Sequence, residues 1–122
     1  ALMAATTGDA ALADRALETS LAEGTNPVQV LRAALRHVQR LHEAALTGAD
    51  GASLRPPVFF RHRAAFDKAV RLWPVAALDA AGRSLLEVEK RLKTTAFGAA
   101  DATLARAAVA TLARQAAGHA RR

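Results

Sequence analysis

The sequence has no cysteine and no tyrosine, and aromatic residues make up only 4% of its 122 positions. Without cysteine there are no disulfides and no thiolate chemistry, whether redox or metal-binding. No apolar run approaches the roughly 20 residues that a membrane span needs. The start, ALMAATTGDA, lacks the basic region and the apolar core of a signal peptide. Beginning at alanine in mid-pattern, it reads as the start of a fragment of a longer chain, with the cytoplasm as the default compartment. Strand signals are scarce too, because the few β-branched residues never alternate with polar ones for more than a few positions.

Catalytic motifs are also missing. A phosphate-cradling loop needs glycines before a lysine and a Ser/Thr at the opening of a helix, and no lysine follows Gly48, Gly51 and Ser53. His37 and His42 are five apart, whereas two ligands on one helix face need a spacing of three or four. His42 lies on an apolar stripe and reads as a half-buried packing histidine. Glu87 and Glu89, two apart, project from different faces and make no acid/base dyad. Ser20, Ser53 and Ser84 lack a nucleophile's neighbours. No enzyme activity, cofactor, metal or small-molecule substrate is expected.

What is there is alanine, leucine and arginine. The apolar fraction is 52%, much of it alanine, the best helix former and a poor strand former. This composition predicts an all-α fold with close helix contacts. The length predicts a single domain over residues 1–122, large enough to bury a core without staples. The net charge of +6 permits contact with nucleic acid or with an acidic partner. Arginine-for-lysine drift in alanine-rich chains explains the same charge without any function.

Periodicity and caps predict a compact bundle of five helices. The first covers about 9–22, with Thr7, Gly8 and Asp9 as N-cap candidates and Gly24 as its stop. Residues 1–5 read as the tail of a helix begun upstream. The second opens at Thr25-Asn26-Pro27 and runs to about Leu46, with a stripe of Val28, Leu31, Leu35, Val38 and His42, widened by Ala34, Leu41 and Ala45. The loop TGADGAS and the pair Pro56-Pro57 precede the third, about 58–72, whose side of recurrence is Phe59, Phe66, Ala69, Val70 and Trp73. Pro74 opens the fourth, about 75–94, where Gly82 would let another helix approach closely. The fifth opens at Asp101 or Thr103, and Gly118 to Arg122 is expected to fray.

Two features stand out. Glu89 falls between Leu85 and Leu92 on the core side of the fourth helix. An acid there is either exposed at the edge of the stripe or paired, with Lys93 one turn on or with an arginine of the second or third helix. The lead-in to the third helix combines Arg55, Arg61, His62, Arg63, Lys68 and Arg71 with Phe59, Phe60 and Phe66. Arg55, Arg61, Arg63, Lys68 and Arg71 are candidates for a DNA-proximal basic patch that tracks a phosphate backbone. In the plainer reading the phenylalanines are core and the arginines a solvated face. Phe60 lies off the Phe59–Phe66–Trp73 stripe and is a second core contact or part of an interface.

Gly8-Asp9, Leu21-Ala22-Glu23-Gly24 with Pro27, and the run Leu31 to His37 occur here in one order. Arg55-Pro56-Pro57-Val58-Phe59-Phe60, Ala69 to Trp73, and Glu89-Lys90-Arg91-Leu92-Lys93 follow in the same order. Together, over nearly the whole chain, they resemble the C-terminal domain of the delta subunit of bacterial DNA polymerase III, the clamp-loader subunit that opens the sliding clamp. The Pro-Pro-Val-Phe-Phe lead-in is similar to the alphaproteobacterial branch. Glu89 is a departure, since that family commonly has aspartate there.

The resemblance implies an all-helical collar domain separated from its N-terminal ATPase-like and lid domains. It implies a non-catalytic oligomerisation role in DNA replication, with the delta-prime and gamma/tau subunits as partners. On that basis the inter-subunit surfaces are expected on the fourth and fifth helices and the loop beside Phe97. The alternative is a stand-alone basic helical DNA-binding module built on the tight Trp73-Pro74 junction. A small enzyme is the least supported reading.

Overall fold

The computed structural model describes residues 2–48, 50–51, 53–54, 57–94 and 98–120. Among these there is no strand. Six α-helices occur: α1 (Leu2–Thr6), α2 (Ala10–Ala22), α3 (Pro27–Thr47), α4 (Arg63–Leu72), α5 (Val75–Thr94) and α6 (Gly98–Ala120). A 3-10 turn, Phe60–His62, precedes α4.

Local signals set most of the boundaries. Asp9 caps α2, its Oδ1 accepting the Leu12 N–H at 3.1 Å. Asn26 caps α3 through the Val28 N–H at 2.9 Å, and Pro27 fills the first turn, where no amide is needed. Gly48 ends α3 in the left-handed conformation. Gly8, at φ +94°, turns the chain between α1 and α2. A Cβ there would meet the Ala117 backbone nitrogen at 3.3 Å, so a side chain would also press on the backbone of α6.

α3 is the centre of the bundle. It packs most extensively on α5, and also against α6 and α4, while α6 covers α1 and α2. Leu31, Ala34, Val38 and Leu41 of α3 are fully buried. They meet Leu78, Ala81 and Leu85 of α5, Phe66 of α4, and Val109, Leu112 and Ala113 of α6 within one core. Each fully buried leucine is worth about 2 kcal/mol relative to exposure. The alanines among them let helix axes approach.

Three expectations need correction. The helix count is six rather than five, because α1 packs as an element of its own against α6, α2 and α4. The third helix of the sequence reading starts at Arg63, not Val58. Val58 is buried and donates its N–H to the Gly51 carbonyl at 2.8 Å, which holds the chain extended there. Phe59 (φ −55°, ψ 135°) is therefore extended as well and falls outside the helical register that the 59/66/73 spacing assumed. The last helix opens earlier than Asp101, at Gly98, and runs on to Ala120 rather than fraying at Gly118. His119 anchors that end, its ring edge-on to Trp73 with centroids 4.8 Å apart.

Gly82 faces Val38 of α3, but an added Cβ would lie 3.9 Å from Val38 Cγ1, an ordinary contact. Close helix approach does not require this glycine; its missing side chain leaves a cleft open. That cleft, of about 260 Å³, is lined by Leu35, Val38, His42, Leu78 and Leu86. His42 is half-buried there, as its stripe position predicted. No helix among the described residues is long and apolar enough to cross a membrane.

Candidate interaction surfaces and a buried polar junction

The lead-in to α4 is built by its backbone. The non-helical stretch 57–59 brings Phe59 and Phe60 to the edge of the bundle, and the 3-10 turn then redirects the chain into α4. Both rings are more than half exposed, at 57% and 64%. They rest on each other with centroids 4.8 Å apart. The Arg61 guanidinium sits 5.9 Å from the Phe60 centroid, within reach of a cation–π attraction. The His62 ring lies 6.0 Å from Phe59. Phe59 is thus corrected from core to surface, and of the stripe at 59, 66 and 73 only Phe66 and Trp73 are buried.

The structure divides the basic patch that the sequence suggested. Arg61 joins the phenylalanine pair. Arg63 is half-buried, and its Nε donates to the Val58 carbonyl at 2.9 Å, bracing the extended segment. Lys68 and Arg71, three apart and exposed, share a side of α4. Asp67, the one acid on α4, accepts the Gly51 N–H at 3.0 Å and ties the loop down. Arg55 lies outside the described residues.

Glu89 is buried, and Arg32 of α3 donates to it, Nε to Oε1 at 2.9 Å. An arginine from the second helix of the sequence reading therefore reaches it, joining α3 to α5. The Lys93 side chain lies outside the described residues, as does Phe97 with its loop. Farther out on α5, Arg83 pairs with Asp79, and Lys90 approaches Glu87 at 3.9 Å. That mixed, internally paired face is unlike the basic recognition face that a helix-turn-helix presents to DNA.

A second open surface lies between α5 and α6, which touch only lightly. The groove there, about 240 Å³, is lined by Leu85, Val88, Leu104, Ala108 and Leu112. Ser84, Thr111 and Gln115 supply its hydroxyl and amide groups.

Sequence reasoning missed the polar junction at the centre. His37 is buried, and its Nε2 lies 2.9 Å from Thr6 Oγ1. The Thr6 hydroxyl also donates to the Leu2 carbonyl at 2.9 Å. Its single proton is spent there, so the His37 Nε2–H donates to Oγ1. Trp73 Nε1–H donates to the Thr6 carbonyl at 2.9 Å. His37 also meets Phe66 edge-on at 6.2 Å. Burial pushes the His37 pKa down to about 4, with nearby positive charge acting in the same direction. One threonine thus joins α1, α3 and the end of α4. The signal was in the spacing, since His37 is three residues from Ala34 and four from Leu41, both fully buried.

Among the described residues no group of three or more His, Cys, Asp or Glu side chains could hold a metal ion. The α3–α5 and α5–α6 pockets are open clefts between helices. No protein-family model, curated protein or solved structure matches this chain.

Proposed function

We propose that this chain is an assembly domain of the clamp-loader collar type, which holds a delta subunit to its delta-prime and gamma/tau neighbours and performs no chemistry itself. The observation that carries this reading is the open apolar groove between α5 and α6. It lies on the two helices where the sequence reading expects the inter-subunit surfaces. An assembly domain needs apolar positions left over once its own core is filled. Val88, Leu104 and Ala108 are such positions, half-buried beside a core already closed by Leu85 and Leu112.

The test is size-exclusion chromatography with light scattering on the domain mixed with the matching C-terminal domains of delta-prime and gamma/tau. A defined hetero-assembly that survives moderate salt is expected. Ala107→Arg should abolish it with the fold intact, because Ala107 is exposed and borders the groove. A folded domain that stays alone while the partner domains assemble with each other would sink the reading.

A further inference from the structure

The phenylalanine turn is not part of the α5–α6 groove, and its surroundings give it a distinct chemistry. His62 links it to a third surface. The same ring that leans on Phe59 also lines a groove of about 500 Å³, whose floor is Leu2, Met3, Leu17, Val30 and Ala33. Ser20, Thr25 and Gln29 add neutral hydrogen-bonding groups, and no carboxylate lines the groove. One end of this continuous surface is apolar and uncharged. The other carries two phenylalanines tilted against each other, with Arg61 and His62 beside them.

We propose that this surface docks an extended acidic peptide segment of a partner protein, its carboxylates at Arg61 and His62 and its apolar side chains on Phe60 and in the adjoining groove. Charge complementarity selects the acidic end, because the Arg61 guanidinium stands exposed beside Phe60, His62 can add a ring N–H, and no carboxylate lines the groove. The groove selects a peptide over a nucleic acid. A bound strand needs cations along its whole track to meet successive phosphates. Here Arg61 stands at one end, and the groove beyond it is lined by apolar and neutral polar side chains. The two rings also lie against each other at 56°, so a base cannot insert between them. This inference is independent of the collar reading and uses a different part of the surface.

The probe is a fluorescein-labelled peptide, Asp-Glu-Asp-Glu-Leu-Leu-Phe, titrated with the 122-residue chain and followed by fluorescence polarisation. Saturable binding is expected. Phe60→Ala and Arg61→Glu should each weaken it about tenfold, a change on the scale of one good contact. Ala33→Glu, which places a carboxylate in the groove, should weaken it at least as much. All three side chains are exposed, so the melting temperature of each variant should match the parent. No saturable binding would overturn the proposal, and so would affinity unchanged in all three variants. Equal binding of a control peptide with serines for Leu-Leu-Phe would reduce the site to non-specific charge. Tighter binding of an oligothymidylate that displaces the peptide would make it a nucleic-acid site instead.

Discussion

The chain spends its few aromatic residues in two opposite ways. Phe66 and Trp73 close the interior around Thr6 and His37, while Phe59 and Phe60, a few residues upstream, sit on the surface. The four are close in sequence and similar in size, and three of them share a seven-residue spacing. Backbone conformation separates them. From Arg63 onward the chain is helical, and the spacing that puts 66 and 73 on one face holds. Before Arg63 the chain is extended, so Phe59 leaves that face. Trp73 is also tied by its indole N–H to the Thr6 carbonyl, and Phe66 meets His37 edge-on, whereas Phe59 and Phe60 lean on each other with Arg61 and His62 beside them.

The comparison is broken most directly by truncating one ring on each side. Trp73→Ala removes a buried indole and leaves the Thr6 carbonyl without its donor. It should cost about 3–5 kcal/mol, a large share of the roughly 5–15 kcal/mol that holds a domain folded. Phe60→Ala should change stability by no more than about 0.5 kcal/mol. Guanidinium unfolding of both variants decides it. A Phe60→Ala loss comparable with that of Trp73→Ala would mean the turn is part of the core after all.

The junction should also give the domain an acid limit that the turn does not share. Folded His37 has a pKa of about 4, while unfolded histidine titrates near 6.5. Between those values the unfolded chain binds the extra proton, so stability falls as pH drops from about 6.5 towards 4 and levels off below. The full effect is roughly 3 kcal/mol. Urea midpoints measured across this range should follow that slope in the parent and lose most of it in His37→Gln. A parent curve that is flat there would place His37 in water rather than in the junction.

Arg32→Ala probes a pair of intermediate character. Glu89 is buried but the arginine is about half exposed, with side-chain exposures of 10% and 56%. Water screens the arginine's share, so a loss of about 1 kcal/mol is expected, well short of what a fully buried pair would give. Thermal melts in low and high salt would show whether the loss is electrostatic.

How much of this was legible follows the same division. Caps and prolines are local, so Asp9, Asn26-Pro27 and Pro74 announced α2, α3 and α5 from sequence alone. Glu89 on a core stripe read as either exposed at the edge or paired, and the folded bundle decides for a pair, with Arg32 of α3 reaching it. The start of α4 was not legible, because it depends on Val58 binding the Gly51 carbonyl across the loop. The role of His37 was hidden for a related reason. The stripe on α3 was read as Val28, Leu31, Leu35, Val38 and His42, widened by Ala34, Leu41 and Ala45, which left His37 off it. Leu31, Ala34, Val38 and Leu41 are the fully buried members, His37 lies beside Ala34 and Leu41, and Leu35 and His42 line an open cleft.

The smallest effect asks to which class that α3–α5 cleft belongs, the tight interior or the open turn. If the helices were pressed together as closely as Gly8 is against α6, a side chain at position 82 would push them apart. The nearest atom to an added Cβ is instead Val38 Cγ1 at 3.9 Å, and it is the end of a side chain. Gly82→Ala should therefore stabilise the domain by up to about 1 kcal/mol, because alanine loses less backbone freedom in a helix interior and meets nothing it must displace. A small rise in melting temperature would class the cleft with the surface. A fall would mean that α3 and α5 pack more tightly than their geometry indicates, and that glycine is needed there for the approach that its place in the fourth predicted helix first suggested.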